Sequence, residues 1–426
     1  MSKKLSFIFA LMMSALLLAA CGGTPTETEG SDDASASTDE GSEESTDTAA
    51  GCEEGDYTIA YQGPVTGDYA ALGENMLNGI NLAVDEATES GELGEGVNLT
   101  VKDFDSQGDP AQAPPLANQA ASDESIIALV GPAFSGESQA SGDVYEDAGL
   151  PFITPSATTP GLSENDWTFF FRTVGSDKDQ GPVAAAFIAE ELGATKVAIM
   201  DDSSDYGKPL ADFVQETLEG EFDVEIVERQ GVEAGQQDYS AAVGAVAQSG
   251  AEAIFYGGYY QEAGLIKKQL ADAGAGDIPF VSDDGAFDGA FFETAGKATS
   301  ENSYVTYPGI DVTSADPAFV EAYTAAFDTD PGAFSVESYQ NARIIIEGMK
   351  SGACDRESLR EFIASFDGEI AGKQISFGDN GDIAAGPFTV YVAEEGEWVV
   401  EAENLTPPGG GTESESTDTA TEEATE

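Results

Sequence analysis

A serine follows one of the most apolar segments of this 426-residue chain. Ser135 comes directly after the run ALVGPAF and begins the helical segment SGESQASGDVYED. The N-terminus of a helix has free N–H groups and about half a positive charge, so a serine N-cap there could bind a carboxylate without an arginine. Most serines at such a position only cap the helix, so Ser135 by itself does not establish a binding site.

Hydroxyl groups also occur in a second segment that follows an apolar strand, PFITPSATTPGL. Its prolines, Pro155 and Pro160, restrict the turn, and the hydroxyls of Ser156 and Thr158 then point outward from the sheet edge. These hydroxyls could bind a polar ligand. Ordinary turn formation explains the same residues equally well.

Two tyrosines and an aspartate lie at later strand-to-helix junctions. Tyr206 is in DDSSDYG, Tyr259 is in AIFYGGYYQEAG, and Asp284 is in VSDDGAFDG. The tyrosine rings could form the walls of a pocket. The alternatives are partly buried tyrosines with satisfied hydroxyls and a surface aspartate, since the chain has 80 acidic residues.

Several classes of chemistry are excluded by what the sequence lacks. There is no histidine, which removes Ser-His-Asp and Cys-His nucleophile pairs and HExxH zinc sites. The three Gly-Lys pairs are followed by Pro, Ala and Gln, so there is no P-loop, and neither GxSxG nor SxxK occurs. Acidic clusters such as GDNGD at 378–382 could hold calcium but are typical of solvated loops. We therefore predict no metal, no cofactor and no enzymatic activity.

Charge restricts the partners and the organisation of the chain. With 16 basic and 80 acidic residues, the net charge is −64, which argues against nucleic acid or an anionic membrane surface as a partner. Residues 22–54 and 407–426 are rich in Ser, Thr and acidic residues, which predicts a disordered tether and a disordered tail. Residues 51–406 still carry −51, and one hypothesis is a salt-rich habitat that screens this charge.

The N-terminus has the pattern of an export signal. Lys3 and Lys4 precede an apolar run that is too short for a stable membrane span, which indicates a signal peptide over residues 1–21. The sequence LAAC resembles a bacterial lipobox, so we expect Cys21 to carry the lipid that anchors the exported protein to the cell membrane. An ordinary signal peptide that leaves a free thiol is the alternative.

Two further cysteines remain in the exported part of the chain. Cys52 precedes the first predicted strand, and Cys354 follows a predicted helix. Pairing is the default in an oxidising compartment, so we predict a disulfide that clamps the N-terminus onto the first lobe. Two unpaired thiols are the alternative.

Strands and helices alternate from residue 56 onward. Apolar runs such as YTIAY and KVAIM are separated by amphipathic helical segments, which predicts an α/β fold with two doubly wound parallel sheets. We expect the first lobe to comprise residues 55–172 and 306–375, and the second 173–305 and 376–406. Three hinge segments would join them, and the ligand site would lie between the carboxyl ends of the strands.

Several segments in one order resemble a known family. VYEDAGLPFITPSAT, FRTVGSDKDQGP, DDSSDYG, FYGGYYQEAGLIKKQL and GAF resemble the type I periplasmic binding proteins of the Leu/Ile/Val-binding branch, which serve ABC importers. The resemblance extends from Tyr57 to Trp398. It implies a monomeric solute-binding protein that closes around a small amino acid and delivers it to an ABC permease.

The resemblance also implies roles for individual residues. Ser135 and the nearby amides would hold the ligand α-carboxylate, and an acid at Asp284 would neutralise the α-ammonium. The Ser156 backbone and the Thr158 hydroxyl would share both groups. Tyr206 and Tyr259 would close over the ligand. Leu72 and Phe334 match positions that line the pocket for the ligand side chain.

This sequence departs from the family pattern at several positions. Asp284 replaces what is often a glutamate, and Leu72 stands where an aromatic residue is frequent. Gly108 and Phe134 occupy positions that are cysteines in members with a disulfide in the first lobe. The ligand could therefore be a short amide, urea or an aromatic acid instead. The same lobes could also form a sensory receptor, whereas an enzyme would have to rely on carboxylates alone.

Overall fold

The computed structural model describes residues 51–309, 316–384 and 386–408. The predicted signal peptide with Cys21, most of the predicted tether and nearly all of the predicted tail lie outside the described residues. Within these ranges the structure has the following strands: β1 (Gly55–Gly63), β2 (Val97–Asp105), β3 (Ile126–Val130), β4 (Phe152–Thr154), β5 (Phe170–Arg172), β6 (Lys196–Asp201), β7 (Glu225–Gly231), β8 (Ala253–Gly257), β9 (Phe280–Ser282), β10 (Ser303–Tyr307), β11 (Asp367–Ile370), β12 (Lys373–Ser376), β13 (Phe388–Glu394) and β14 (Glu397–Leu405).

The helices of the described residues connect these strands. They are α1 (Ala70–Ser90), α2 (Ala113–Ser122), α3 (Ser135–Asp147), α4 (Asp177–Ala186), α5 (Gly207–Glu221), α6 (Ser240–Gln248), α7 (Tyr260–Asp272), α8 (Ala290–Ala295), α9 (Pro317–Phe327), α10 (Ser335–Ser351) and α11 (Arg356–Ala364).

The first sheet is parallel throughout and has the order β2-β1-β3-β4-β5. Every residue of β3 is buried, as expected for a strand covered on both faces. In β1, Ile59 and Tyr61 belong to one hydrophobic cluster, whereas Ala60 belongs to the other. Helices α1, α10 and α11 cover one face of this sheet, and α2 and α3 pack together on the other.

The second sheet has the order β14-β13-β10-β9-β8-β6-β7. Strands β6 to β10 pair in parallel, but β13 is antiparallel to both β10 and β14. The predicted parallel sheet is therefore confirmed for β6 to β10, and β13 and β14 extend it with antiparallel pairing. Their connection is the two-residue turn Glu395–Gly396, in which both residues have positive φ, and so short a turn can join only antiparallel strands.

The chain crosses between the two sheets at three places. It leaves the first sheet after Arg172, returns to pack α9, α10 and α11 against the first lobe, and re-enters the second sheet at β13. The predicted lobe boundary between residues 305 and 306 falls inside β10, all of which belongs to the second sheet. That boundary was placed too early because β10 ends only at Tyr307.

A disulfide joins Cys52 to Cys354, whose Cα atoms are 5.5 Å apart. It ties the segment before β1 to the segment after α10, both in the first lobe. Residues 51–54 were assigned to the disordered tether, but Cys52 is held by this bond and the Tyr57 hydroxyl donates to the Glu53 carbonyl oxygen. The ordered chain therefore begins ahead of β1.

In the part of the chain that the structure describes, no helix has both the length and the apolar character needed to cross a bilayer.

Candidate ligand-binding cleft

A small cavity lies between the lobes, beyond the carboxyl ends of the strands. Its lining contains every residue predicted for the site except Thr158, together with three neighbours of those residues. The lining residues are Leu72, Ala133, Phe134, Ser135, Ser156, Tyr206, Tyr259, Asp284, Gly285 and Phe334. The cavity volume is about 10 Å³, which is roughly the space of one water molecule. An amino acid can enter only if the lobes separate or the side chains move.

The wall formed by the first lobe consists of hydroxyl and amide groups at the start of α3. Ser135 is the first helical residue and not the N-cap, so the predicted capping role is wrong by one residue. The N-cap is Phe134, whose extended backbone lets the Glu137 carboxylate accept a hydrogen bond from its N–H at 3.0 Å. The Ser135 hydroxyl instead accepts a long hydrogen bond from the Thr159 N–H, at 3.4 Å.

Glu137 supports this wall without lining the cavity, and sequence reasoning missed it. It is fully buried, and burial raises the pKa of its carboxyl to about 7. A glutamate three residues after a helix N-cap is a recognisable signal for backbone capping. That signal was present in the segment FSGE.

A buried arginine, Arg172, holds the segment from Ser156 to Thr158 in place. The Ser156 hydroxyl donates to the Ala133 carbonyl at 2.6 Å, so its side chain is already occupied. The Arg172 guanidinium donates to the Thr158 carbonyl at 2.9 Å and to Asp382 at 2.6 Å. Thr158 itself does not line the cavity, and its buried hydroxyl lies beside the Asp177 carboxylate, whose charged form it stabilises.

The wall formed by the second lobe is acidic. Asp284 begins a short 3-10 helix just after β9 and is only 2% exposed, so the surface interpretation of this aspartate is wrong. Its Oδ1 accepts hydrogen bonds from the Tyr206 hydroxyl at 2.8 Å and from Gln180 Nε2 at 2.6 Å. Burial raises the pKa of Asp284 to about 6, although these two hydrogen bonds oppose the shift.

Aromatic rings from both lobes meet over the cavity. The Tyr259 ring stacks on Phe134, with centroids 4.4 Å apart, and lies 5.1 Å from Tyr69 and 5.2 Å from Tyr206. Tyr259 and Tyr206 were predicted to cover the site, whereas Phe134 and Tyr69 were missed. No sequence pattern distinguishes those two rings from ordinary core residues.

The apolar end of the cavity is formed by Leu72 and Phe334, both nearly fully buried. Phe334 precedes α10 in a left-handed backbone conformation, with φ of 63°. Its N–H donates to the Tyr307 hydroxyl at 3.1 Å, and that hydroxyl donates to Glu337 at 2.9 Å. The polar backbone is thereby satisfied, and the Phe334 ring is left to line the cavity.

The lobes also meet through hydrogen bonds around the cavity. Each of these contacts joins a residue of the first lobe to a residue of the second, so the lobes are in a closed arrangement. They are Tyr260 to the Asp68 carbonyl at 2.7 Å, Thr159 to the Asp205 carbonyl at 2.9 Å, Asn75 to Asp288 at 3.3 Å and Tyr69 to Glu262 at 3.3 Å.

Larger cavities lie beside the small one and elsewhere in the described residues. A cavity of about 580 Å³ shares Phe134, Tyr206 and Tyr259 with the small cavity and is lined by residues of both lobes. Another, of about 740 Å³, is lined by residues from Phe287 to Val400 and contains none of the predicted residues. Across the described ranges, no group of three or more acidic or cysteine side chains is arranged to hold a metal ion.

The fold and the cleft together define a class: a solute-binding protein with two α/β lobes that enclose a small ligand. The chain belongs to the periplasmic binding protein family, whose pattern matches residues 56–397. The members of this family are exported solute-binding proteins.

Individual relatives are similar over most of their length. The leucine-, isoleucine-, valine-, threonine- and alanine-binding protein of Pseudomonas aeruginosa is 32% identical over 346 residues, covering 81% of this chain and 90% of the relative. The Leu/Ile/Val-binding protein of Escherichia coli K12 is 30% identical over 79% of this chain and 90% of its own.

A solved structure is similar in fold. It is the branched-chain amino acid transporter substrate-binding protein of Streptococcus pneumoniae in complex with isoleucine, with a TM-score of 0.76 and 28% sequence identity. The match covers 83% of this chain and all of that structure.

Proposed function

We propose that this protein captures a branched-chain or related small amino acid outside the cytoplasm and delivers it to an ABC importer. The names of the relatives support this ligand class. The observation in the structure that carries the proposal is the composition of one cavity. Hydroxyl and amide groups, a buried aspartate and two apolar side chains line it together.

Each end of the cavity suits one part of an amino acid. The α-carboxylate would lie at the start of α3 near Ser135, where free N–H groups and the helix dipole favour an anion. The α-ammonium would lie at Asp284. Because Tyr206 and Gln180 both donate to Oδ1 of this carboxylate, Oδ2 would be the oxygen that receives the ammonium.

The ligand side chain would extend toward Leu72 and Phe334. Burial of its apolar surface would contribute about 25 cal/mol per Å². This end carries no charge, so it selects for size and shape, whereas the polar groups select for the amino acid backbone. A buried, unpaired Asp284 would oppose amides, urea or aromatic acids that lack an ammonium.

Ligand entry would require the lobes to open. The Tyr259–Phe134 stack and the hydrogen bonds between the lobes exist only in the closed arrangement. A ligand that contacts both lobes would therefore shift the population toward closure.

We further propose that the protein acts as a monomer held at the membrane by a lipid on Cys21. The lipobox-like segment supports the anchor. Mass spectrometry of the membrane fraction would show diacylglycerol on an N-terminal Cys21. A Cys21→Ser variant should be released into the soluble fraction. A mature chain that begins at another residue and carries no lipid would contradict the proposed anchor.

The ligand class is tested by calorimetry with three related molecules. L-Leucine should bind, whereas 4-methylpentanoate, which lacks the ammonium, and 3-methylbutylamine, which lacks the carboxylate, should each bind at least about 30-fold more weakly. Binding of the carboxylate with the affinity of leucine would contradict the role of Asp284. Tight binding of a short amide, urea or benzoate but not leucine would replace the ligand class.

A further inference from the structure

Gln180 is a buried amide that contacts the proposed ammonium site from behind. It lies on α4 and is fully buried. Its Nε2 donates to Asp284 Oδ1 at 2.6 Å, to the Thr306 hydroxyl at 3.0 Å and to the Thr306 carbonyl oxygen at 3.2 Å. Gln180 does not line the cavity, so an effect of this side chain on the ligand has to pass through Asp284.

The partners of Gln180 fix which end of its amide faces Asp284. An ionised carboxylate and a carbonyl oxygen can only accept hydrogen bonds, so the amide group that contacts both must be the NH₂. The reversed amide would place its own oxygen against these acceptors. One N–H is thus available for Asp284 and the other for Thr306, and Gln180 joins α4 to the end of β10 and to the residues that follow β9.

A second donor holds the same carboxylate oxygen. The Tyr206 hydroxyl donates to Asp284 Oδ1 at 2.8 Å, and this hydroxyl accepts from the Gly285 N–H at 3.1 Å. The carboxylate cannot rotate about its terminal bond without breaking the bonds from Gln180 and Tyr206. Oδ2 therefore keeps a fixed direction, as a preorganised binding group requires.

Both donors are neutral, which leaves the charge of Asp284 uncompensated. Within the described residues, none of the ion pairs includes Asp284. The two buried cations of this region have other partners: Arg172 donates to Asp382 at 2.6 Å, and Lys373 donates to the Thr173 carbonyl at 2.7 Å. A lysine or arginine in place of Gln180 would neutralise the carboxylate before any ligand arrived.

The donors also help Asp284 to stay ionised. Burial raises the pKa of Asp284 to about 6, and the hydrogen bonds from Tyr206 and Gln180 oppose that shift. The other titratable groups that face it are acids, namely Asp283 beside it, Glu337 on α10 and Asp177 on α4. None of these acids can replace a lost donor while it is ionised, so removal of the Gln180 amide should make Asp284 easier to protonate.

We propose that Gln180 is a positioning residue that holds the Asp284 carboxylate toward the ligand and thereby sets the preference for solutes that carry an ammonium group. The proposal rests on the proposed function and assigns a further residue to that site. An ammonium binds to the oriented, charged carboxylate. A ligand without an ammonium makes no use of it, so its binding should not depend on Gln180.

The experiment is isothermal calorimetry of the full chain with L-leucine and with 4-methylpentanoate, which lacks the ammonium. Gln180→Met keeps the length of the side chain but cannot donate. Its affinity for leucine at pH 7.5 should fall by about 10- to 100-fold, as expected for a lost hydrogen bond to a charged group. Its affinity for 4-methylpentanoate should fall by less than about threefold. Equal losses for the two ligands, or an unchanged affinity for leucine, would overturn the proposal.

The pH profile of leucine binding gives a second measurement. In the wild type, affinity should fall as pH drops through about 6, because protonation removes the charge of Asp284. In Gln180→Met this fall should begin at a higher pH, since one of the groups that favour the charged form is gone. A profile with the midpoint of the wild type would contradict the role of Gln180.

Gln340→Met is the matched control. Gln340 is also a buried glutamine, but it lies on α10 and its Nε2 donates to the Ile370 carbonyl at 3.1 Å. Its replacement should leave the leucine affinity within about twofold of wild type and the pH midpoint unchanged. A loss as large as that in Gln180→Met would show that removing any buried amide weakens binding, and would overturn the assignment.

Gln180→Asn provides a second variant if Gln180→Met does not fold. It keeps an amide but withdraws it from Asp284 by one methylene, so leucine affinity should fall by at least about threefold and the pH midpoint should rise. Wild-type values for both in the folded variant would reject the proposal and leave the proposed function intact. Failure of the wild type to bind any amino acid would instead reject the proposed function.

Discussion

The two lobes present different chemistry to the same cavity. The first lobe contributes hydroxyl groups, backbone amides and a helix N-terminus, and the nearby acid Glu137 accepts a backbone hydrogen bond without lining the cavity. The second lobe contributes Asp284, and burial and then repulsion from this aspartate raise the pKa of Asp177. A neutral wall binds an anion at little desolvation cost, whereas a buried carboxylate is unfavourable until a cation arrives. The first lobe would therefore hold one end of the ligand, and the second would make closure depend on the other end.

Removing the acidic wall should have the largest effect on binding. In Asp284→Ala the ligand ammonium is left buried and unpaired, so we expect the affinity for leucine to fall by about 2 to 5 kcal/mol, roughly 30- to 5,000-fold. Calorimetry measures the loss. Asp284→Asn, which keeps the size of the side chain, should lose a similar amount of affinity for leucine. An unchanged affinity in both variants would show that the acidic wall does not bind the ligand ammonium.

The disulfide tests whether the first lobe is the more constrained of the two. It closes a loop with a sequence separation of 302 residues, and removing such a bond costs about 2 to 5 kcal/mol of unfolding free energy. Cys52→Ser with Cys354→Ser should therefore lower the free energy of unfolding in urea by about that amount. Reductant should destabilise the wild type but leave the double variant unchanged. An equal response of both proteins to reductant would contradict the assignment.

The neutral wall can be tested by comparing two serines. Ser135→Ala removes a hydroxyl proposed to contact the ligand carboxylate, and a hydrogen bond to a charged group is worth about 1.5 to 3 kcal/mol. Ser156→Ala should cost less affinity, because the Ser156 hydroxyl already donates to the Ala133 carbonyl. A larger loss of affinity in Ser156→Ala than in Ser135→Ala would reverse these roles.

The acidic wall should also lower the stability of the ligand-free protein as pH rises. The folded-state pKa of Asp177 is raised to about 7, so its stabilising contribution is complete below the ordinary pKa near 4 and is lost as pH rises through about 7. Asp177→Asn should therefore require roughly 4 kcal/mol more free energy to unfold than wild type at pH 8, because the pKa shift is about three units. The gain should be less than half as large at pH 5, and a gain that is equal at both values would exclude ionisation as its cause.

Salt should separate the surface acids from those in the cleft. Residues 51–406 carry a net charge of −51, and at 1 M salt exposed charges are screened over about 3 Å. Potassium chloride should raise the temperature of unfolding, because it screens the exposed acids. It should change leucine affinity by less than about threefold, because salt screens the buried Asp284 in the cleft only weakly. An unfolding temperature that does not respond to salt would reject adaptation to a salt-rich habitat.

Much of the site was predictable because its residues follow strands. Strands such as β3 and β8 are short, apolar and separated by amphipathic helices, and the carboxyl ends of parallel strands meet at one edge. Ser135, Tyr259 and Asp284 each come just after such a strand, so their approximate location followed from sequence order. Their individual roles came from resemblance to a family, and those roles remain predictions.

Other features depended on contacts between distant segments. Asp177 was indistinguishable from 79 other acidic residues, because its burial arises only when α4 packs against α5 and β10. The same holds for Phe134 and Tyr69, whose rings meet Tyr259 across the two lobes. Local patterns report which face of an element is apolar, but they do not report which distant element that face will meet.

The sequence by itself therefore determined the α/β alternation, the acidity, the lack of histidine chemistry and the order of the segments that form the cleft. These properties follow from composition and from short-range periodicity. Only the tertiary structure decided that Asp284 is buried, that Asp177 is buried as well, and that Arg172 supports the turn at Thr158. The physical reason is that burial and charge repulsion are set by neighbours that are close in space but distant in the chain.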